Sequence, residues 1–406
     1  MDTIKKKAMR FDTEMRRRII VSVTNDLVTD QRVHRSCSAL YDAGYDVTLV
    51  GRKLRDSGPV ERVYRTVRMR LLFNKKAVFY AEYNIRLFFR LLFSCADAYY
   101  ANDTDTLPAC YYAALIRRMP LFFDAHEMFP EVPELVGRPR VKRFWMRIED
   151  RIFPRINRKG RAAVTVCQSI ADIYRERYGL NMAVVRNVPM FYAESHDDMT
   201  DGLLDKLPQG KHILLYQGAV NIGRGIEWIM DAMPYLDDCH FVVAGAGDEY
   251  NLLKQRAECE DLRDKVTFLG RVAPEKLHSL TKHASLGMSL LENRGLNYYY
   301  SLPNRLADFV QAGVPVLATD FPEIRRVVEG YGIGTLVPPV VFDIERLQSE
   351  PPDPKLLAKT ITDTLVFWQS MPEVEKKNRF DKAAKDLSWE NDKKVLLNSV
   401  DTIFHR

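Results

Sequence analysis

The chain has 406 residues, of which 46% are hydrophobic, 28% charged and 11% aromatic, and its net charge is +6. A single hydrophobic core stops growing at roughly 250 to 300 residues, so the length predicts two domains. The composition excludes a wholly disordered or collagen-like chain, and the absence of a recognition motif argues against nucleic-acid binding.

Six cysteines are scattered without a C-x-x-C pair, which argues against a disulfide framework and a structural zinc site. The basic residues 1–18 lead into an apolar run too short for a signal peptide. No stretch reaches the length of a membrane span. We therefore expect a cytoplasmic protein.

Residues 19–23, 33–43 and 46–50 form a strand, helix and strand pattern. Further short apolar strands are predicted at residues 98–100, 121–124, 163–166 and 183–186. Residues 1–190 therefore predict a parallel sheet wrapped by helices, which we assign as an acceptor-side Rossmann-like domain.

The polar and acidic residues 191–210 predict a linker. Strands follow at residues 212–217, 241–244, 266–269, 286–290 and 314–319, so residues 211–385 predict a second domain. Residues 386–406 predict a C-terminal helix that crosses back toward the first domain. The fold class is α/β, with two Rossmann-like doubly wound domains facing a central cleft.

A glycine-rich segment with Gly218, Gly223, Arg224 and Gly225 follows the first strand of the second domain. Glycines let backbone amides approach an anion, and a guanidinium group fits phosphate oxygens. The segment predicts a diphosphate site without a metal. A tight turn whose arginine points to solvent is the alternative.

Residues 301–316 predict a loop, a helix, a glycine stop and a strand. Free amides at the helix start, around Ser301, Leu302, Asn304 and Arg305, can bind phosphate. Asp308, about one turn further on, can accept hydrogen bonds from ribose hydroxyls. A solvent-facing carboxylate is the alternative for Asp308.

With these motifs the sequence resembles the retaining GT-B glycosyltransferases of family 4, the group 1 glycosyl transferases. The family's basic glycine-rich turn, which grips the donor diphosphate, matches Gly218 and Arg224, and later matches include Gly245 and Arg271. The resemblance implies transfer of a sugar from a nucleotide-sugar donor, a UDP- or GDP-sugar, to a glycan or lipid-linked acceptor. It also implies retention of anomeric configuration, no metal or further cofactor, and a role in bacterial-type surface polysaccharide or glycoconjugate synthesis.

The chain departs from the family pattern at two places. The family often has two glutamates separated by seven residues, and here Tyr300 and Asp308 hold those positions. Ala219 stands where many relatives have arginine, which leaves Arg224 and Arg305 as the phosphate cations. Two alternatives therefore stay open: a catalytically silent nucleotide-sugar- or glycan-binding protein, and another GT-B enzyme such as an epimerase or phosphorylase.

His126 follows a predicted strand and resembles the family's histidine loop, which faces the donor sugar. The carboxyl ends of parallel strands are where such sheets place ligands. We assign His126 to catalysis together with Arg224 and Asp308. Glu127 is assigned to the acceptor side, with bracing of the loop as the alternative.

Residues 25–33 resemble the acceptor loop of related enzymes, which places Asp30 and Arg32 on the acceptor side. An N-cap role is equally open for Asp30. Residues 103–105 match a D-x-D metal motif of another glycosyltransferase class, but we interpret them as a loop after a strand and predict no metal site.

Four arginines recur every four residues from Arg143 to Arg155, beside aromatic and aliphatic side chains. On a helix they form a basic stripe that fits an anionic lipid surface, which predicts a peripheral position at the inner face of the cell membrane. A solvated helix face with its aromatic side chains in the core is the alternative.

Overall fold

The computed structural model describes residues 16–28, 30–132, 135, 137–190, 202–343 and 348–405. The described residues up to Arg186 and those from Asp392 onward form one compact unit, and Asn187–Asn391 contains the other. Residues 191–201 of the predicted linker and Thr29 of the predicted acceptor loop lie outside the described residues. No helix in the described part of the chain combines the length and apolar character that crossing a membrane requires.

The first unit contains a parallel sheet of seven strands in the order β3-β2-β1-β4-β5-β6-β7. Its strands are β1 (Arg18–Asp26), β2 (Asp46–Arg52), β3 (Arg65–Met69), β4 (Ala98–Asn102), β5 (Leu121–Ala125), β6 (Arg161–Thr165) and β7 (Ala183–Val184). Its helices are α1 (Gln31–Asp42), α2 (Lys76–Leu92), α3 (Asp103–Arg117), α4 (Pro139–Ile152) and α5 (Gln168–Tyr178).

The central strands β4 and β5 are buried at every residue, because helices cover both faces of a parallel sheet. The connections through α2, α3 and α4 all step in one direction across the sheet, from β3 to β4, β5 and β6. Since such crossovers are right-handed, these three helices cover the same face of the sheet.

The second unit contains a six-stranded parallel sheet in the order β10-β9-β8-β11-β13-β14 and a small sheet of β12, β15 and β16. Its strands are β8 (His212–Gln217), β9 (Cys239–Ala244), β10 (Val266–Gly270), β11 (Leu286–Ser289), β12 (Glu292–Asn293), β13 (Val316–Thr319), β14 (Gly334–Val337), β15 (Val340–Asp343) and β16 (Gln348–Ser349). Its helices are α6 (Ile226–Ala232), α7 (Tyr250–Arg256), α8 (Pro274–Lys282), α9 (Leu296–Tyr299), α10 (Asn304–Gln311), α11 (Pro322–Tyr331), α12 (Pro354–Ser370) and α13 (Glu373–Asp386).

The last helix, α14 (Trp389–Thr402), is tied to the first unit by ion pairs. Arg186, two residues after β7, pairs with the buried carboxylate of Asp392 at 2.8 Å. Near the other end of α14, Asp401 lies 3.7 Å from Arg17, beside β1. The residues of α14 from Asp392 onward therefore complete the first unit.

The expectation of a loop at residues 103–105 was wrong, because α3 begins at Asp103. The hydroxyl of Thr106 donates to the carbonyl of Asn102 at 2.7 Å and closes the first turn. The carboxylate of Asp103, in that turn, also suits the positive end of a helix.

Gly287, in β11, allows α10 to pack closely on the sheet. A Cβ at Gly287 would lie 2.5 Å from the Phe309 ring. We expect Gly287→Ala to lower the free energy of unfolding by about 1–3 kcal/mol through overpacking, measured by urea denaturation. Gly330→Ala, at an exposed helical position with nothing within 4 Å of the new Cβ, is the matched control and should leave stability unchanged or slightly higher. Equal effects of the two substitutions would contradict this packing argument.

Candidate functional site

Three of the residues predicted to bind the donor, Gly218, Arg305 and Asp308, meet at the carboxyl end of β8. This strand lies between β9 and β11, where the strand order of the sheet changes direction. Open parallel sheets bind ligands at such a position. Gly218 follows β8 directly, and the side chains of Arg305 and Asp308 from α10 reach the same strand end.

Gly218 and Gly245 hold the loops after β8 and β9 together. The amide of Gly218 donates to the Ala244 carbonyl at 3.0 Å, and the amide of Val220 donates to the Ala246 carbonyl at 3.1 Å. A Cβ at Gly245 would lie 1.8 Å from the Gly218 carbonyl oxygen. These amides are therefore engaged within the protein, and Gly245 permits close packing of two backbones.

Gly223 and Gly225 have left-handed φ angles of +78° and +66°. The carbonyl of Gly223 accepts the amide of Glu292 at 3.1 Å, which attaches the turn to the segment after β11. Between the two glycines, the guanidinium of Arg224 lies 5.1 Å from the centre of the Tyr298 ring. The turn thus fixes the backbone on both sides of Arg224.

Arg305 is a buried cation, 7% exposed, whose guanidinium stacks 4.2 Å from the centre of the Tyr216 ring. Its Nη1 has no hydrogen-bond partner, and within the described residues no ion pair joins it to a carboxylate. Burial, assisted by the nearby charge of Arg224, lowers its pKa. A buried charge is costly unless it is paired, so this arrangement fits an anionic ligand.

Asp308 is oriented by the last residue of β8. The side chain of Gln217 donates to Asp308 Oδ2 at 3.1 Å and accepts the hydroxyl of Thr281 at 2.8 Å. Asp308 is half-buried. Its carboxylate is therefore held in a fixed position beside the strand end.

The start of α10 differs in detail from the sequence-based expectation. The hydroxyl of Ser301 donates to the Tyr298 carbonyl at 2.8 Å, and Leu302 packs against the core. Asn304 is exposed, and no side chain caps the helix. Backbone amides at Asn304 and Arg305 thus remain the groups suited to an anion. Arg271 is exposed after the edge strand β10, which β9 separates from β8.

In the first unit, charged groups converge at the end of β5. Asp124 is fully buried, accepts Arg32 Nη2 at 2.8 Å and accepts the hydroxyl of Tyr100 at 2.8 Å. Burial would raise the pKa of Asp124, but Arg32 and His126 outweigh it and hold that pKa well below its usual range. The Nε and Nη1 of Arg32 have no hydrogen-bond partner in the described part of the chain.

His126 lies between two carboxylates. Its Nδ1 is 3.2 Å from Asp103 Oδ2, its Nε2 is 3.4 Å from Asp124 Oδ2, and its backbone amide donates to Asp103 Oδ1 at 2.7 Å. Burial lowers the pKa of the imidazole, but the two carboxylates outweigh burial and raise it to about 10. The two carboxylates therefore favour the imidazolium form of His126 at neutral pH.

Asp30 is the N-cap of α1, as one of the two sequence-based interpretations predicted. Its Oδ1 accepts the amide of Val33 at 3.1 Å, and its Oδ2 accepts Asn25 Nδ2 at 2.9 Å. Glu127 is half-buried beside the cluster, where its charge helps to raise the pKa of Asp105. Burial is the main cause of that pKa, which is raised to about 8 although Thr24 donates a hydrogen bond to Asp105.

Two family models match the chain, one in each half. "Glycosyltransferase Family 4" matches residues 30–189, and "Glycosyl transferases group 1" matches residues 211–363. Two solved structures share the whole architecture. Sucrose-phosphate synthase from Thermosynechococcus elongatus has a TM-score of 0.75 at 17% identity, with 96% of this chain and 100% of that chain covered. Anabaena HepE in complex with UDP-glucose has a TM-score of 0.70 at 14% identity, with 95% and 99% covered.

The chain has the two-domain GT-B fold of the glycosyltransferases. Among curated proteins, Alpha-D-kanosaminyltransferase of Streptomyces kanamyceticus is 29% identical over 34% of this GT-B chain and 37% of its own length. Alpha-monoglucosyldiacylglycerol synthase of Streptococcus pneumoniae is 27% identical over 32% of this chain and 29% of its own length. The matches thus span well under half of these relatives.

Four residues that contact the candidate site residues within each unit were not predicted from the sequence: Tyr216, Gln217, Asp103 and Asp124. Tyr216 and Gln217 are the last two residues of β8. Their position was a usable signal, because the ligand site of a parallel sheet lies at the ends of its strands. Asp124 ends a run of buried apolar residues in β5, which is a comparable signal. Nothing in the local sequence indicates that Asp103 meets His126.

The charge on His126 generates a prediction about pH. Because its pKa is raised above the ordinary 6.5, its ion pairs stabilise the fold fully below pH 6.5, and this contribution is lost as pH rises through about 10. An NMR titration of the histidine rings should show His126 protonated at pH 8, and Asp103→Asn should lower its pKa. His34, whose pKa burial lowers, is the internal control and should titrate below 6.5. Titration of His126 near 6.5 in the unaltered protein would contradict the ion pairs.

Proposed function

We propose that the chain is a glycosyltransferase that moves a sugar from a nucleotide-sugar donor to an acceptor hydroxyl. The observation that carries this proposal is Arg305, a buried cation that pairs with no carboxylate among the described residues, beside Gly218 at the carboxyl end of β8. Arg224 is close enough to lower its pKa. The donor diphosphate supplies the negative charge that these two guanidinium groups lack.

The same two arginines account for catalysis without a metal. When the bond between the sugar and the diphosphate breaks, negative charge grows on the leaving group while the sugar becomes oxocarbenium-like. Arg224 and Arg305 are fixed in place by the rings of Tyr298 and Tyr216, so they stabilise this charge without reorganising. Retention of anomeric configuration remains an implication of the family resemblance.

The first unit contains its own set of hydrogen-bond donors. His126 is protonated, and its Nε2 is buried and makes no hydrogen bond with suitable geometry among the described residues. Arg32 likewise has two unpartnered buried donors. We propose that His126 donates a hydrogen bond to the transferred sugar, and that Arg32 and Glu127 act on the acceptor side. The N-cap role of Asp30 makes an acceptor contact unnecessary to explain that residue.

The comparisons suggest which donors to test first. Solved structures with this fold at 14% identity bind UDP and UDP-glucose, so UDP-sugars come first and GDP-sugars second. One of the curated relatives is a diacylglycerol-glycolipid synthase by name. We therefore propose a glycan or lipid-linked acceptor and a role in surface polysaccharide or glycoconjugate synthesis.

Replacement of Arg305 tests the diphosphate site. We expect Arg305→Gln to weaken binding of the preferred nucleoside diphosphate about ten- to a hundredfold, because a charge-assisted contact is lost, and to leave binding of the free nucleoside unchanged. Isothermal titration calorimetry measures both affinities. Arg263→Gln, at an exposed arginine of the same unit that no motif assigns to the donor, is the matched control and should retain near-normal affinity.

Three outcomes would count against parts of this proposal. Equal diphosphate affinity in Arg305→Gln and the unaltered chain would remove the assignment of the site. Normal binding with neither sugar transfer nor donor hydrolysis would favour a catalytically silent protein, a possibility that Tyr300 raises because it replaces the first family glutamate. Interconversion of the donor sugar without an acceptor would instead indicate an epimerase.

Asp308 generates a separate prediction about the ribose. If its carboxylate accepts hydrogen bonds from ribose hydroxyls, the unaltered chain should bind UDP more tightly than 2′-deoxy-UDP, by about tenfold or more. Asp308→Asn should abolish most of this difference, while Arg305→Gln should weaken both ligands to the same degree. If Asp308→Asn keeps the full discrimination between ribose and deoxyribose, the carboxylate does not contact the sugar hydroxyls.

A further inference from the structure

Helix α3 is interrupted near its start by Pro108. A proline inside a helix has no amide hydrogen to donate to the carbonyl four residues earlier, which here is the carbonyl of Thr104. The next pair of groups in the helical pattern is the amide of Ala109 and the carbonyl of Asp105. The first turn of α3, residues 103–107, is therefore joined to the rest of the helix by fewer hydrogen bonds than a regular turn.

The side-chain amide of Asn84, in the middle of α2, bridges this interruption. Its Oδ1 accepts the amide of Ala109 at 3.1 Å, and its Nδ2 donates to the carbonyl of Asp105 at 2.7 Å. The same Nδ2 donates to the carbonyl of Tyr80, one turn earlier in α2, at 2.9 Å. An asparagine amide has one acceptor oxygen and one donor nitrogen with two hydrogens, so both ends of this amide are engaged. Asn84 therefore fastens the first turn of α3 to α2.

The first residue of that turn, Asp103, has a left-handed backbone with a φ of +58°. Residues other than glycine seldom adopt this conformation, because it crowds the Cβ against neighbouring backbone atoms, and it persists where surrounding contacts impose it. In this conformation the carboxylate of Asp103 accepts the backbone amide of His126 at 2.7 Å and lies 3.2 Å from the ring Nδ1. The orientation of His126 thus depends on a strained residue.

Two further contacts hold the strained turn, and they come from other elements. Thr104 donates to the buried carboxylate of Glu149, in α4, at 3.1 Å. Thr24, in β1, donates to the carboxylate of Asp105. Both contacts are made by side chains of the turn, whereas Asn84 binds the backbone on both sides of the proline. Loss of the Asn84 amide would leave a backbone amide and a carbonyl without the partners that now hold the turn in place.

We propose that Asn84 is a positioning residue for His126. By bridging α3 at the proline, Asn84 keeps Asp103 in its left-handed conformation, and Asp103 in turn orients the imidazole. The consequence for sugar transfer rests on the proposed function of His126. The effect on the imidazole itself can be measured without donor or acceptor. If Asn84 served only to stabilise the fold, its loss would lower stability and leave the ionisation of His126 unchanged.

NMR titration of the histidine rings in Asn84→Leu tests this inference. Leucine fills a similar space but makes none of the three hydrogen bonds. We expect the first turn of α3 to relax and the carboxylate of Asp103 to move away from the imidazole, so that the pKa of His126 falls by about one unit or more. Turnover should fall about tenfold or more, because the imidazole is displaced, while calorimetry should show unchanged affinity for the nucleoside diphosphate.

Tyr99→Phe is the matched control. It removes a buried hydrogen bond of 2.7 Å between the tyrosine hydroxyl and the carbonyl of Leu91, in the last turn of α2. Tyr99 lies near the amino end of β4, whereas Asp103 follows the carboxyl end. Urea denaturation should show lower stability in both Asn84→Leu and Tyr99→Phe, but only Asn84→Leu should change the pKa of His126.

Asn84→Ser is a milder second variant, for use if the leucine variant does not fold. Water can enter the space and bind the freed backbone groups, so we expect a smaller shift of the His126 pKa in the same direction. An unchanged pKa of His126 in a folded Asn84 variant, or an equal shift in Tyr99→Phe, would overturn the proposal. A lowered pKa with normal sugar transfer would support the positioning of His126 by Asn84 and would remove His126 from the proposed reaction.

Discussion

Arg305 is buried against Tyr216 and, in the part of the chain that the structure describes, pairs with no carboxylate. The packing of α10 onto β11 keeps it there. The helix approaches the sheet closely because Gly287 presents no side chain to the Phe309 ring. That approach brings Arg305 to the end of β8 and brings Asp308 within reach of Gln217. Burial of the guanidinium costs stability, and burial also lowers its pKa. A bound anion would offset this cost. Anion binding therefore raises the free energy of unfolding of the second unit.

In the first unit, by contrast, the buried charges are paired with one another. Asp124 is buried completely, but Arg32, Tyr100 and His126 surround it, and Asp103 holds the far side of the imidazole. The cluster is therefore close to neutral within the protein and needs no ligand to be stable. Ion pairs already fix the side chains of Arg32 and His126. A ligand that binds there would therefore require little further ordering of these groups.

Much of the fold follows from the sequence because parallel strands are buried on both faces and therefore appear as short apolar runs. β8 has the predicted bounds, 212–217, and the fold class is confirmed. β3 was missed because its residues are mostly charged or polar and only partly buried, and β14 because no residue in it is fully buried. Hydrophobic periodicity carries no signal for such edge strands.

The chemical roles were less predictable than the strands, for a physical reason. A motif identifies a turn or a helix start, but the partner of each polar group comes from elsewhere in the chain. Gly218 begins the expected turn, yet its amide donates a hydrogen bond to the carbonyl of Ala244 in the neighbouring strand β9. Asp30 lies in the expected loop, where a short-range hydrogen bond to Val33 makes it an N-cap. Asp103 meets His126 only because β4 and β5 are neighbours in the sheet.

The basic stripe shows the same limit at the surface. Sequence periodicity places Phe144, Trp145 and Phe153 beside the arginines, and one expectation was that all these aromatic side chains lie in the core. Trp145 and Phe153 do, since they contact Tyr80 and Tyr174, whereas Phe144 is exposed. The contact between Tyr80 of α2 and Trp145 of α4 joins residues distant in sequence, which become neighbours only through the crossovers of the sheet. A surface of this kind is a property of the topology, and it cannot be inferred from one helix alone.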